Sequence, residues 1–224
     1  MGEMIEFAAN GGSLQGYLAK PEGGGNGQGV VVVQEWWGLV PHIKDIADRF
    51  AAAGYVALAP DLYRGETTTN PDEAGRKMMA LNIDQAATDL RGAVEAIRAQ
   101  GGADKVGVVG FCLGGQLALY TATVSPRVAA CVDFYGVHPN VKPDFSKLDC
   151  PVLGLFGKND DFVSPEAAKG LVEAIESAGK SIEHHSYDAG HAFFNDTRPE
   201  AYHEAAAKDA WQRTLDFFGQ HLAA

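Results

Sequence analysis

The sequence has few cysteines, no long apolar run and fewer basic than acidic residues. Three cysteines, Cys112, Cys131 and Cys150, do not form a disulfide framework, and their low number favours a reducing compartment. No apolar stretch reaches the roughly 18 residues that a membrane helix needs. The first ten residues also lack the basic start of a secretory signal. We therefore expect a cytoplasmic protein that does not act at a membrane.

The charge balance is acidic, with 29 Asp and Glu against 18 Lys and Arg and a net charge of −11. Such a surface repels the phosphate backbone, so nucleic-acid binding is not expected and the charge is assigned mainly to solubility. Hydrophobic residues make up 46% of the 224 residues, which is ordinary for a globular protein. We expect a single domain over residues 1–224, acting as a monomer or a small homo-oligomer.

Strand and helix signals alternate along most of the chain. Met4–Phe7 and Leu14–Leu18 flank Asn10-Gly11-Gly12, a hairpin signal. Apolar runs such as Val30–Val33 and Val106–Val109 then alternate with segments of helical spacing, which predicts an α/β fold with a mostly parallel central sheet and helices on both faces. The remaining predicted strands are Tyr55–Ala59, Val128–Phe134, Val152–Phe156 and Ile182–Tyr187, and the predicted helices are Pro41–Ala53, Asp84–Gln100, Cys112–Val124, Pro165–Ser177 and Glu200–Leu222.

The segment Gly110-Phe111-Cys112-Leu113-Gly114 lies between a predicted strand and a predicted helix. This is the setting of a nucleophile elbow, with cysteine in the place of serine. The glycines leave room for a strained turn, and the N–H groups at the start of the helix favour the thiolate. A buried structural cysteine is the alternative, and we assign it to Cys131 and Cys150. Cys112 is the predicted nucleophile.

A histidine and two acids follow the last predicted strands in the order that α/β-hydrolase triads use. Asp160 and Asp161 come after Val152–Phe156, and His191 comes after Ile182–Tyr187. Spacing alone leaves the choice between the two acids open. No H-E-x-x-H or C-x-x-C spacing occurs, so neither a metal nor a cofactor is expected. The other histidines are interpreted as packed or solvated: His42, His138, His184, His185, His203 and His221.

A second loop, Gln34-Glu35-Trp36-Trp37-Gly38, follows the Val30–Val33 strand. The loop at this place in such folds provides one N–H of an oxyanion hole, so we predict Trp36 and Leu113 as the two donors. Glu35 is unusual, because a carboxylate beside an apolar strand is costly unless it is paired. It is either a structural hydrogen-bond acceptor or the group that holds or receives the thiol proton.

Five ordered motifs together resemble the dienelactone hydrolase family. The resemblance implies an α/β-hydrolase fold and a Cys-His-Asp triad in which Asp160, rather than Asp161, orients His191. Family members open dienelactone to maleylacetate, so a small ester or lactone is the expected substrate. The motifs are Gln34-Glu35-Trp36-Trp37-Gly38, Pro60-Asp61-Leu62-Tyr63, Gly110-Phe111-Cys112-Leu113-Gly114-Gly115, Gly157-Lys158-Asn159-Asp160 and Ala189-Gly190-His191.

The resemblance also implies roles around the triad. Glu35 would pair with the resting thiol, while Arg76 and Tyr135 would contact substrate. Trp37 and Asn195 are further expected substrate contacts. Asn195 replaces a second carboxylate-binding arginine of the family, and the nearest arginine is Arg198. This departure keeps open a generic small-ester carboxylesterase. A non-catalytic or redox-sensing protein on a hydrolase scaffold, with its elbow cysteine oxidised, is the alternative of a different class.

Overall fold

The computed structural model describes residues 2–100 and 105–223. Within these residues the chain forms eight strands and six α-helices. The strands are β1 Glu3–Ala9, β2 Gly12–Ala19, β3 Gly29–Val33, β4 Val56–Pro60, β5 Val106–Phe111, β6 Val128–Phe134, β7 Val152–Gly157 and β8 Ile182–Tyr187. The helices are α1 Pro41–Ala52, α2 Pro71–Ala80, α3 Ile83–Ala99, α4 Leu113–Val124, α5 Pro165–Ser177 and α6 Glu204–Leu222.

All eight strands belong to one sheet, in the order β1-β2-β4-β3-β5-β6-β7-β8. The pairs β1–β2 and β2–β4 are antiparallel, and the other five pairs are parallel. The predicted mostly parallel sheet with an antiparallel hairpin is therefore confirmed. The hairpin turns at Asn10 and Gly11, whose φ values of 52° and 72° match the left-handed backbone that a two-residue hairpin turn requires.

Helices cover both faces of the sheet, as predicted. Gly29 pairs with Val106, and a Cβ added at Gly29 would meet Ile97 of α3. The next residue along β5, Gly107, points to the opposite face because side chains alternate along a strand. A Cβ there would meet Phe218 of α6. Helices α3 and α6 thus pack on opposite faces of the central strands.

The last helix begins later than the sequence indicated. It starts at Glu204 rather than Glu200, because His203 is its N-cap and accepts a hydrogen bond from the Ala206 N–H at 3.2 Å. The segment from Thr67 to Leu81, for which no helix or strand is predicted above, contains α2, whose N-cap is Asn70. Helix α4 starts at Leu113, so Cys112 is its N-cap rather than its first residue.

The fold brings the predicted site residues to one edge of the sheet. Glu35 follows β3, Cys112 follows β5, Asp160 follows β7 and His191 follows β8. The carboxyl ends of parallel strands meet at the same edge, where open α/β sheets bind ligands. No helix among the described residues is long and apolar enough to cross a membrane.

Candidate active site

Cys112 occupies a strained turn between β5 and α4. Its φ of 54° and ψ of −122° are unusual for a residue with a side chain. Three backbone hydrogen bonds hold this conformation: the Cys112 N–H donates to Phe134 O at 3.0 Å, and Cys112 O accepts from Gly115 at 2.9 Å and Val137 at 3.2 Å. The sulfur is therefore carried by a fixed backbone.

The two glycines of the elbow are required by close backbone contacts. A Cβ at Gly110 would lie 1.9 Å from the carbonyl oxygen of Gly114, and a Cβ at Gly114 would lie 2.4 Å from that of Val33. Both distances are shorter than any real contact, so a side chain would push β3, β5 and α4 apart. This approach places Cys112 next to the loop that begins after Val33.

His191 makes its key contact with Asp160. Nδ1 of His191 lies 2.8 Å from Oδ2 of Asp160. The other oxygen of Asp160, Oδ1, accepts from the N–H groups of Phe162 at 2.7 Å and Val163 at 2.8 Å. Asp160 is buried, whereas Asp161 is exposed. Of the two acids that spacing could not separate, Asp160 is the one that contacts the histidine.

The environment of His191 favours its protonated form. Burial alone lowers the pKa of His191, but the hydrogen bond to Asp160 and the nearby Cys112 sulfur raise it to about 10. Nε2 has no well-formed hydrogen bond in the described part of the chain, so it is free for a reacting group. The rings of Phe162 and Tyr135 lie 4.9 and 5.0 Å from the imidazole and restrict its movement.

Glu35 is almost completely buried, with 1% of its surface exposed. Oε2 accepts a hydrogen bond from Nδ2 of Asn195 at 2.8 Å, while Oε1 has no partner among the described residues. Burial raises the pKa of Glu35, and the Asn195 hydrogen bond with the charges of His191 and Arg198 offsets part of this. Oδ1 of Asn195 accepts from the N–H and hydroxyl of Thr197, which fixes the amide orientation.

Cys112, His191 and Glu35 line one small cavity of about 270 Å³, which we name the Cys112 cavity. Within residues 2–100 and 105–223, no three His, Cys, Asp or Glu side chains group so as to hold a metal ion. The lining consists of Glu35, Trp36, Trp37, Pro71, Cys112, Phe162, His191, Ala192, Arg198 and Ala201.

The predicted substrate contacts lie in different places. Trp37 lines the Cys112 cavity. Arg76 is exposed on α2 and lines an outer groove beside Trp36. Tyr135 is fully buried against His191, and Asn195 is bonded to Glu35 and lines a neighbouring cavity. Substrate contact by Arg76, Tyr135 and Asn195 stays a prediction.

Arg198 is a lining residue that the sequence reasoning did not assign. Its guanidinium lies 5.1 Å from the ring centroid of Trp37, and its Nε donates to Glu200 at 2.8 Å. Arg198 is the only Lys or Arg between Lys180 and Lys208, which was the available signal. The family places its arginine at the position of Asn195, three residues earlier, so the comparison of motifs did not assign Arg198 to the site.

Comparison with known proteins agrees with this arrangement. Residues 14–222 match the sequence profile of the dienelactone hydrolase family. The protein Usf of Aquifex pyrophilus is 36% identical over 99% of this chain and all of its own length. A provisionally named carboxymethylenebutenolidase of Aquifex aeolicus is 33% identical, with the same coverage.

A solved structure gives the same result for the fold. A provisionally named dienelactone hydrolase from Klebsiella pneumoniae superposes with a TM-score of 0.90 at 29% identity and covers 99% of both chains. The expected α/β-hydrolase fold is confirmed, and the molecule is a dienelactone hydrolase-like hydrolase. The chain belongs to the dienelactone hydrolase family.

Proposed function

We propose that this protein, as one domain over residues 1–224, hydrolyses carboxylic esters or lactones with Cys112 as the nucleophile. The favoured substrate is a dienelactone-like enol lactone, opened to maleylacetate. The observation that carries the proposal is a histidine, oriented by Asp160 at 2.8 Å, in the same small cavity as an elbow cysteine. Cysteine, histidine and an orienting acid are the groups that nucleophilic acyl transfer requires.

The first step is ionisation of the nucleophile. The proposed acceptor of the thiol proton is Nε2 of His191, because the Cys112 sulfur interacts with this imidazole and the pKa of His191, near 10, favours taking the proton. The resemblance also implies a contact between Glu35 and the resting thiol, but Oε1 of Glu35 has no partner among the described residues, so this contact stays a prediction. Burial raises the pKa of Glu35 as well, which supports its role as a proton-holding group rather than a permanently charged one.

Acylation then follows. The thiolate of Cys112 attacks the carbonyl carbon, and the carbonyl electron pair moves to oxygen, where the N–H groups of Trp36 and Leu113 stabilise it. Neither N–H donates to another backbone oxygen in the described loops and caps. The carbon–oxygen bond to the alcohol breaks, and His191 gives its Nε2 proton to the leaving alkoxide. In a lactone, the alcohol stays attached to the acyl group.

In deacylation His191 acts as a general base, after acting as a general acid in the previous step. Neutral His191 takes a proton from water, and the hydroxide attacks the thioester carbon of the acyl-Cys112 intermediate. The carbon–sulfur bond breaks, the acid leaves and the thiolate–imidazolium pair is restored. Asp160 keeps the proton of Nδ1 in place throughout. The overall reaction consumes one ester and one water and yields one acid and one alcohol.

The charge of the substrate decides between two candidate activities. We propose that Arg198 exchanges Glu200 for a substrate carboxylate, since it lines the cavity and a guanidinium binds carboxylates well. A generic carboxylesterase for small uncharged esters is the second candidate. It is favoured by the position of Arg76 outside the Cys112 cavity and by the existing ion pair between Arg198 and Glu200.

The test is steady-state hydrolysis of dienelactone isomers beside p-nitrophenyl acetate. A far higher kcat/KM for dienelactone, lowered by Arg198→Gln mainly through KM, supports the dienelactone function. Cleavage of p-nitrophenyl acetate alone supports the carboxylesterase. Cys112→Ala should lower either activity by at least about 10³-fold, because the nucleophile is lost. Full activity in Cys112→Ala, compared with a Cys150→Ala control, would overturn the nucleophile assignment.

A further inference from the structure

A second cavity adjoins the Cys112 cavity, and we name it the adjoining cavity. Its volume is about 460 Å³, and the Cys112 cavity has about 270 Å³. Pockets for drug-sized ligands fall in the range of roughly 300–1,000 Å³, so the adjoining cavity is large enough for a ligand group and the Cys112 cavity holds only a small one. Both cavities are lined by Trp37, Pro71 and Arg198.

The boundary between the two cavities contains a movable side chain. Arg198 is only half-buried, and its guanidinium lies over the ring of Trp37. Trp37 itself is 8% exposed and packs edge-on against Trp36 at 5.1 Å. An arginine side chain changes rotamer without backbone movement, whereas the tryptophan is held by its neighbour. A ligand whose reacting carbonyl lies at Cys112 can therefore extend along Trp37 into the adjoining cavity.

The chemistry of the adjoining cavity favours an uncharged apolar group. Trp37, Val40, Pro41 and Pro71 give it apolar walls, and, besides His42, the other uncharged lining residues are three threonines and Asn195. His42 is buried, and burial lowers its pKa although Asp196 offsets part of the effect, so the imidazole is neutral at physiological pH. Arg198 pairs with Glu200 in this structure and lies at the boundary with the Cys112 cavity, where the proposed substrate carboxylate would bind. Apart from this ion pair, the described lining of the adjoining cavity has no charged side chain.

We propose that the adjoining cavity is a substrate subsite that binds an uncharged, phenyl-sized apolar group of the ester cleaved at Cys112. A benzene ring fits a cavity of about 150 Å³, so the volume of the adjoining cavity, about 460 Å³, leaves room for a phenyl group. The proposal rests on the proposed ester hydrolysis and extends it from small lactones to esters that carry such an apolar group. The apolar group belongs either to the acyl part or to the alcohol part of the ester.

Two isomeric esters show whether the apolar group belongs to the acyl part or to the alcohol part. Methyl phenylacetate carries the phenyl ring on the acyl side, benzyl acetate carries it on the alcohol side, and methyl acetate lacks it. We expect kcat/KM for one isomer to exceed that for methyl acetate by at least tenfold. Thr69→Trp fills the adjoining cavity from an exposed loop position and should lower this ratio at least tenfold. Thr67→Trp, on the same loop but lining neither cavity, is the matched control.

An equal ratio in the native protein and Thr69→Trp, or an equal loss in Thr67→Trp, would overturn the subsite. Val40→Phe fills the same cavity from its other wall and replaces Thr69→Trp if that variant does not fold. A binding measurement tests the subsite independently of the proposed hydrolysis. In Cys112→Ala, titration calorimetry should show tighter binding of the preferred isomer than of methyl acetate, and Thr69→Trp should remove the difference. Equal binding of all three esters overturns the subsite whether or not the native protein hydrolyses them.

Discussion

The elbow, which is the strained turn that carries Cys112, and the cap segment beside it are built in different ways. The elbow is buried, and its glycines approach backbone atoms closely enough to exclude any side chain. The cap segment, residues 64–83, is mostly exposed and contains α2. Its contacts are mainly polar: Thr68 Oγ1 donates to Glu73 at 2.7 Å, Lys77 pairs with Glu66, and His138 Nε2 lies 3.0 Å from Met78 O.

This difference suits the elbow to the chemical step and the cap segment to substrate recognition. Reacting groups need fixed positions, and the packed edge of the sheet provides them. Loops and segments with few apolar contacts open at a lower free energy and tolerate change. We therefore expect substitutions at the elbow to affect kcat or the fold, and substitutions in the cap to affect KM. The following four changes test this separation, from the largest expected effect to the smallest.

Asp160→Asn should lower kcat/KM by roughly 10²–10⁴-fold, because His191 loses the group that fixes its tautomer and favours its charge. The pH profile should change as well. The Asp160 carboxylate and the Cys112 sulfur together raise the pKa of His191 to about 10, so the alkaline limb of the native profile should lie near that pH and move to lower pH when the carboxylate is removed. Asp161→Asn is the matched control, and an unchanged alkaline limb in Asp160→Asn would contradict the assignment.

Gly114→Ala should destabilise the fold by about 3 kcal/mol, since its Cβ would lie 2.4 Å from Val33 O and the neighbouring backbone must shift. Gly170→Ala in α5 is the control, because nothing lies within 4 Å of the added Cβ. That variant should be stabilised by up to about 1 kcal/mol, because alanine favours helix. Urea denaturation measures the free energy of unfolding of both variants. Equal unfolding midpoints for Gly114→Ala and the native protein would show that the elbow has room for the added methyl group.

Asp133→Asn probes the carboxyl packed beneath the elbow, where a Cβ at Gly115 would lie 2.2 Å from its Oδ1. Burial raises the pKa of Asp133 to about 7, although the Gly136 N–H offsets part of this. The native state then binds more protons than the unfolded state between about pH 4 and 7, so this residue makes stability fall as pH rises through that window. The variant should gain on the order of 2 kcal/mol at pH 8 and little at pH 4; a gain that does not depend on pH would contradict this.

Asn70→Ala should have the smallest effect. The Oδ1 atom of Asn70 caps α2 by accepting from the Glu73 N–H at 3.1 Å, and loss of such a cap costs about 1 kcal/mol of local stability. We expect KM to rise a few-fold with little change in kcat. Asn82→Ala, which removes the equivalent cap of α3, is the control and should leave KM unchanged. A fall in kcat with unchanged KM would show that the cap segment takes part in the chemical step.

Much of the fold and part of the site could be predicted because the signals are local. Val30–Val33 and Val106–Val109 are buried on both faces, and the glycines around Cys112 mark a turn that few other sequences could form. The predicted start of α6 was wrong by four residues. The N-cap of this helix is the ring of His203 rather than one of the usual capping side chains.

The sequence by itself determined the order of strands and helices, the elbow and the family, since periodicity, glycine spacing and motif order depend on residues close together along the chain. The family resemblance selected Asp160, which spacing could not distinguish from Asp161, and the tertiary structure places it against His191. Only the tertiary structure decided that Asn195 holds Glu35, that Arg198 lines the Cys112 cavity, and that a second cavity adjoins it. Those contacts join loops that follow different strands. Glu35 and Asn195 are 160 residues apart in sequence, and only the packing of the whole sheet brings such residues together.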